Sequence, residues 1–203
     1  MVEYSDTKSR IAAAFRELAE TQAFDKISIN AIVKAARVGR NTFYYHFEDK
    51  YALVEWIFDR EMTESNSAGY VGMPINVMEA MLNHHKYYIN LFQSSAAPLL
   101  QDKINRLCRT IHKQELANAL SEKQFNAADA EVLIEFFTNA TVYTIVNWVK
   151  DGMTSDLDVY ENDYSQLHLE CLHYAIAKHG HPQAAVLHIP EVPSPYGSWF
   201  GKI

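Results

Sequence analysis

The chain has 203 residues, 48% hydrophobic and 21% charged, which excludes a disordered polymer and suits one large domain or a small domain joined to a larger one. Its formal net charge of −7 argues against nucleic-acid binding over the whole surface, yet residues 26–50 hold five Lys/Arg against two Asp/Glu, so any polyanion contact is confined to one end. Only seven glycines and six prolines occur, four of the prolines beyond residue 181, so residues 1–180 are nearly free of breakers and read as long helices.

From the N-terminus, Asp6 or Thr7 is placed to cap a first helix in which Ile11, Ala12, Phe15, Leu18 and Ala19 recur at helical spacing. TQAFDK ends it, and Ser28 is a suitable N-cap for a short second helix carrying Ile29, Ile32, Val33 and Ala36. After Arg37, Val38 and Gly39 a third short helix is expected over residues 40–46, and Asp49 caps a longer one with Leu53, Val54, Ile57 and Phe58. Two short helices joined by a tight turn within about twenty residues form a helix-turn-helix pattern. Phe43 and Phe47, four apart, share the inward face of the third helix, which turns Arg40, Asn41, Tyr44 and Tyr45 elsewhere.

Residues 65–74, SNSAGYVGMP, read as a linker. Helical patterns follow at 75–92, 98–120, 129–150 and 157–178. The third of these is apolar nearly all round and must be enclosed by neighbours or lie in a subunit interface. The expected division is a three-helix domain at 1–48, a connecting helix at 49–64, a larger helical domain at 65–180 and a Pro-rich aromatic tail at 181–203. The fold class is all-α.

No apolar signal region opens the chain and no later run approaches the length needed to span a bilayer, so a cytoplasmic protein with no membrane partner is expected. Cys108 and Cys171 fit no redox or metal spacing. HLECLHYAIAKHGH supplies His168, Cys171, His173, His179 and His181; His168 and Cys171 share a helical face, but His173 and His179 do not continue it, and a structural zinc site needs about four converging ligands, so no metal and no cofactor is expected. HHKYY, at 84–88, reads as a wet helix face meeting a buried one.

With IAAAFRELAE, ISINAIVKAARVGRNTFYYHF and EDKYAL in view, residues 6–60 resemble the DNA-binding domain of the TetR family of bacterial transcriptional regulators. The remainder has the length and helical layout of that family's ligand-binding and dimerisation domain, with a faint likeness to members associated with dihydroxyacetone-kinase regulation. The resemblance implies a dimeric repressor that binds a palindromic operator in double-stranded DNA and is released by a small-molecule effector. A recognition helix offers its first residues to base edges. Arg40 would fork onto guanine O6 and N7, and Asn41 would bind adenine or a phosphate. Thr42, Tyr44, Tyr45 and His46 match family positions that contact backbone or thymine methyls, and Lys50 and the backbone around Ser28 would meet phosphates. Glycine is usual in the turn where this chain has Arg37, and at the end of the first helix where it has Ala23; a non-glycine held left-handed there costs about 1–2 kcal/mol. Val33 replaces a usual alanine. Arg37 would add a phosphate contact.

One such domain reads few bases, so a homodimer is expected, its seam formed by the helices at 129–150 and 157–178 with Phe136, Tyr143, Trp148, Leu167, Leu169 and Tyr174 as candidate residues. Tyr88, Phe92, Cys108, His112, Phe137 and Asn139 are candidate effector contacts, each also readable as packing. Two other classes compete with a regulator. A protein–protein adaptor or co-activator that kept the fold without binding operator DNA is opposed by Arg40, Thr42, Tyr44 and Lys50 standing together. An enzyme finds no Gly-rich phosphate loop, GxSxG or HExxH to rest on.

Overall fold

The computed structural model describes residues 3–66, 73–120, 127–160 and 165–180, and among them no strand is present. The expected all-α class holds, and most of the described chain lies in ten α-helices. α1 (Glu3–Ala19) begins before the expected cap, so Asp6 and Thr7 lie within it. It buries Ile11, Ala12, Phe15 and Ala19 on one stripe. A single 3-10 turn (Phe24–Lys26) leads to α2 (Ile29–Ala35) and α3 (Arg40–His46).

The local chemistry explains these boundaries. Ser28 is extended, and its Oγ accepts a hydrogen bond from the Ala31 N–H, which starts α2. α2 stops in a Schellman turn, where the N–H of Val38 donates to Val33 O at 3.0 Å and that of Arg37 to Lys34 O at 3.3 Å. That turn needs a left-handed residue, and Arg37 supplies it at φ 53. Ala23 is extended at φ −56 and ψ 131, so only the first of the two missing glycines leaves strain behind. α4 (Lys50–Asn66) starts on Asp49, whose Oδ1 accepts from the N–H groups of both Tyr51 and Ala52 at 2.8 Å.

The pattern over 75–92 resolves into two helices, α5 (Met73–Leu82) and α6 (His85–Phe92), separated by a turn at Asn83 and His84. No proline or glycine marks this break. Its effect is to aim α6 across the chain, so that Asn90 reaches the end of α1. There the Asn90 amide donates to Ala19 O at 2.5 Å and Gln22 O at 2.7 Å, and its Oδ1 accepts from Phe24 N–H at 3.1 Å. One side chain thus satisfies three backbone groups that no helix supplies. Tyr88 of α6 donates to Glu61 of α4, which also pairs with Arg16 of α1 at 2.5 Å.

α7 (Ala97–Leu120) and α8 (Ala127–Lys150) pack along one another, and a one-turn α9 (Leu157–Val159) precedes α10 (Ser165–Gly180). α9 and α10 both fall within the helix expected at 157–178, and residues 161–164 between them lie outside the described residues. The Asp151–Asp156 turn takes Gly152 and Met153 left-handed, at φ 79 and φ 56. One hydrophobic core runs without a break from Ile11 in α1 to Met153 after α8. The expected linker falls partly, and the aromatic tail wholly, outside the described residues.

Contrary to the sequence reading, Ala130–Lys150 is long and apolar enough to cross a bilayer by length and composition. Its inner side is the protein's own core, with Phe137, Thr141, Ile145, Trp148 and Val149 buried.

Candidate nucleic-acid interface

The outer face of α3 is held in place from below. Phe43 is fully buried and Phe47 nearly so, their ring centroids 5.8 Å apart, and Phe47 packs edge-on against Trp56 of α4. Burying each phenylalanine is worth about 2–3 kcal/mol. That anchorage fixes the helix rotation, and the remaining side chains follow from it. Arg40, Asn41, Tyr44 and Tyr45 are exposed, Tyr45 by 71%, while Thr42 and His46 are half-buried.

The exposed groups are ordered rather than loose. Arg40 donates from Nη1 to Asn30 Oδ1 at 2.9 Å and from Nη2 to the Tyr44 hydroxyl at 3.1 Å, with its guanidinium carbon 5.4 Å from the Tyr44 ring centre. Tyr45 and His46 meet edge-on with centroids 5.0 Å apart. Partial burial, then the charge of nearby Lys8, holds the His46 imidazole below its ordinary pKa, so it presents a neutral ring at physiological pH. The Ser28 hydroxyl keeps its own proton while its oxygen caps α2.

Lys50 also has a role within the fold. Its ammonium donates to Phe24 O at 2.9 Å and Ile27 O at 3.3 Å and lies 4.1 Å from the Phe24 ring centre, closing the 3-10 turn before α2. Two of its three protons therefore serve the fold, leaving one for a phosphate. Asn30 was missed in the sequence. An asparagine in the first turn of a short helix reads as a solvated polar residue until its partner ten positions on is seen.

The candidate effector residues divide. Tyr88, Phe92 and Cys108 are buried in the main core. His112 is buried beside Phe137, with Nδ1 3.1 Å from Thr138 Oγ1, and its ring lies 5.1 Å from that of His168 on α10. Burial, reinforced by His168, depresses the His112 pKa to about 4, and burial lowers that of His168. Asn139 is exposed and does not face this region, because α8 turns it to the side opposite Phe137 and Thr138.

The candidate seam residues divide as well. Phe136 and Tyr143 are exposed by 64% and 72%, and Val132 extends their stripe on α8. Leu167 and Tyr174 are exposed on α10 at the same face as Cys171, at spacings of four and three. Trp148 does not belong with them. It is buried in the chain's own core, where its indole N–H donates to Ser155 O at 3.2 Å. The Leu169 side chain lies outside the described residues, as do the side chains of His173 and His179, and His181. Among the described residues no group of three or more His, Cys, Asp or Glu gathers as a metal site.

Comparison with known proteins matches residues 11–57 to a family described as bacterial regulatory proteins, tetR family, and residues 73–162 to one described as transcriptional regulator C-terminal region. Among curated relatives, the chain is 34% identical over 68 residues to the HTH-type dhaKLM operon transcriptional activator DhaS of Lactococcus lactis subsp. lactis (strain IL1403), a match covering 32% of this chain and 36% of that protein. It is 28% identical over 95 residues to the HTH-type transcriptional regulator EthR of Mycolicibacterium smegmatis (strain ATCC 700084 / mc(2)155), covering 45% and 44% of the two. The chain thus spans less than half the length of the curated relatives it matches. Among solved structures, the dihydroxyacetone kinase operon activator DhaS superposes with a TM-score of 0.61 at 16% identity, over 85% of this chain and 96% of that one. Salmonella enterica GusR superposes with a TM-score of 0.55 at 17% identity, over 86% and 97%. At these identities the structures speak for the fold.

Proposed function

The chain belongs to the TetR family of bacterial transcriptional regulators, and we propose that it works as a cytoplasmic homodimer that binds a palindromic operator and answers to a small-molecule effector. The observation that carries this reading is the α3 face, where cations and phenols stand outward on two buried phenylalanines. Arg40 and Asn41 read base edges. Ser28, Thr42, Tyr44, Tyr45, His46 and the remaining Lys50 proton meet backbone and thymine methyls and fix register. The role is binding rather than catalysis.

Two copies join through the exposed stripes of α8 and α10, with Phe136, Tyr143, Leu167 and Tyr174 at the seam. Pairing two helices from each copy builds a four-helix interface and hides the apolar side of α8 from water. The effector is assigned to the interior between α6, α7 and α8, beside Phe92, Cys108, His112 and Phe137, where His112 and Thr138 offer hydrogen bonds to a small, partly aromatic molecule. An effector that prefers one spacing of the recognition helices lowers DNA affinity by the factor by which DNA lowers its own.

Occupying a promoter gives repression. The likeness to DhaS, an operon activator, favours a second reading, in which the bound dimer recruits rather than blocks polymerase. The test is fluorescence anisotropy on duplex DNA from upstream of the chain's own gene, together with reporter expression with and without the gene. Affinity is expected to fall steeply with salt, with a slope set by the phosphates contacted. Salt-independent affinity, or none for any duplex, would sink the reading; the direction of reporter change decides between repression and activation.

A further inference from the structure

The contact between Asn30 and Arg40 joins the first turn of α2 to the first residue of α3 across the intervening turn. Resting on the regulator reading above, we propose that Asn30 is a positioning residue for sequence discrimination, holding the Arg40 guanidinium in the pose in which it reads a base.

An arginine reads guanine with two N–H groups at once, and this requires the plane, rotation and reach of the fork to be right together. A free arginine side chain has many rotamers, and choosing one on binding opposes recognition. Here three contacts fix the fork before DNA arrives. Asn30 Oδ1 takes a proton from Nη1, the Tyr44 hydroxyl takes one from Nη2, and the Tyr44 ring lies beneath the guanidinium carbon. The grips on two different nitrogens, from two different helices, set the rotation and plane of the fork, and the ring adds a cation–π contact 5.4 Å from its carbon. Of the five guanidinium protons, three remain, and a bidentate base contact uses two.

Tyr44 alone does not suffice, because it lies four residues along the same helix and moves with Arg40. Asn30 belongs to the neighbouring helix and ties the fork to the body of the domain. Asn30 and Arg40 are both exposed. In water such a contact adds little to folding, so its removal leaves the domain intact. Against a duplex, with water excluded, the same hydrogen bond strengthens and selects the pose.

The experiment uses the full chain as wild type, N30A, N30D, R40A and the N30A/R40A double variant. Preferred sites are selected by the wild type from a random-sequence duplex library. Affinities are then measured for the selected duplex, for its single base-pair variants, and for a random-sequence duplex across a salt series. N30A is expected to reduce discrimination roughly tenfold at the base pair where R40A abolishes it. It should add nothing in the R40A background and leave both the salt slope on random duplex and the melting temperature at wild-type values. N30D keeps the acceptor and is expected to preserve the discrimination ratio while binding all duplexes more weakly, since it adds a negative charge near phosphates.

Three results overturn the proposal: discrimination unchanged in N30A, discrimination lost at a base pair that R40A leaves untouched, or N30D losing the ratio as N30A does. The second of these would make Asn30 a direct reader of its own base. A wild type that binds no duplex overturns both this proposal and the regulator reading, whereas a wild type that binds normally beside an unchanged N30A overturns this one alone.

Discussion

Among the described residues, two surfaces expose aromatic rings, and they differ in what stands beside the rings. On α3, Tyr44 and Tyr45 are 44% and 71% exposed in the company of Arg40, Asn41 and Asn30. On α8, Phe136 and Tyr143 are 64% and 72% exposed beside Val132, with Leu167 and Tyr174 on α10. Rings with cations and hydroxyls suit a wet, charged partner whose backbone needs donors. Rings beside aliphatic groups, with Asn139 the polar side chain between Phe136 and Tyr143 on the same stripe, suit a largely apolar partner, and a second copy of the same face is one. Exposure alone does not separate the two surfaces. The polar neighbours do.

The largest expected effect breaks this comparison directly. Phe136→Glu with Tyr143→Glu places four carboxylates in a two-fold seam, where unpaired charge costs several kcal/mol. Sedimentation equilibrium should show monomer, and operator affinity should fall by at least about a hundredfold because half-sites are no longer bound together. Arg40→Ala with Tyr44→Ala should do the reverse, leaving the dimer whole while operator affinity drops. If the seam variant stays dimeric, the α8 stripe is not the interface and the contrast between the surfaces collapses.

A smaller effect follows from what underlies the second surface. His168 sits on α10 against His112 and Phe137, so the helix carrying Leu167 and Tyr174 rests partly on two imidazoles held neutral. The His112 pKa is about 4 in the folded chain, against an ordinary 6.5 when unfolded. A folded pKa below the unfolded one means that the unfolded chain binds the extra proton first. The stabilisation is therefore complete above pH 6.5 and is lost as pH falls toward 4, by on the order of 3 kcal/mol. Urea midpoints of the wild type and of His112→Gln should converge across that window. Parallel curves for the two proteins would show that the buried imidazole does not report on acid.

How far the sequence told these regions apart depended on whether the signal was local. Ser28, Asp49, Phe43 and Phe47 act within four residues of themselves, through caps and helical spacing, and the boundaries of α2, α3 and the start of α4 were legible from them. The break between α5 and α6 was not. Asn83 and His84 carry no breaker, and the bend is set by what Asn90 must reach some seventy residues back at Ala19 and Gln22. On α8, apolar on nearly every side, periodicity could not tell the face that packs inward from the face left for a partner. Trp148 was therefore assigned to the seam and Asn139 to the interior, each on the wrong side. The contacts that Lys50 and Asn30 make within the fold were out of the sequence's reach for a related reason. A polar residue's role lies in its partner, and theirs are 26 and 10 positions away.

The smallest expected effect sharpens the comparison from the first surface's side. Arg37 sits in the αL position of the Schellman turn at φ 53, where a side chain adds strain that glycine does not. Arg37→Gly should raise thermal stability by about 1 kcal/mol, since relief of the left-handed strain outweighs the extra freedom given to the unfolded chain. Arg37 is also exposed, on the turn that leads into α3. If its cation meets a phosphate, the same variant should bind all duplexes more weakly and flatten the salt slope by close to one ion, with no change in which base pairs are preferred. Arg37→Ala separates the two effects, because it removes the cation while keeping the strained Cβ. Loss of DNA affinity in both variants with stabilisation in Gly alone would mean that this turn accepts a cost in folding for a charge at the DNA face. Stabilisation by Gly with unchanged DNA binding in both would leave Arg37 as strain without a partner, and the cations of the first surface would then begin at Arg40.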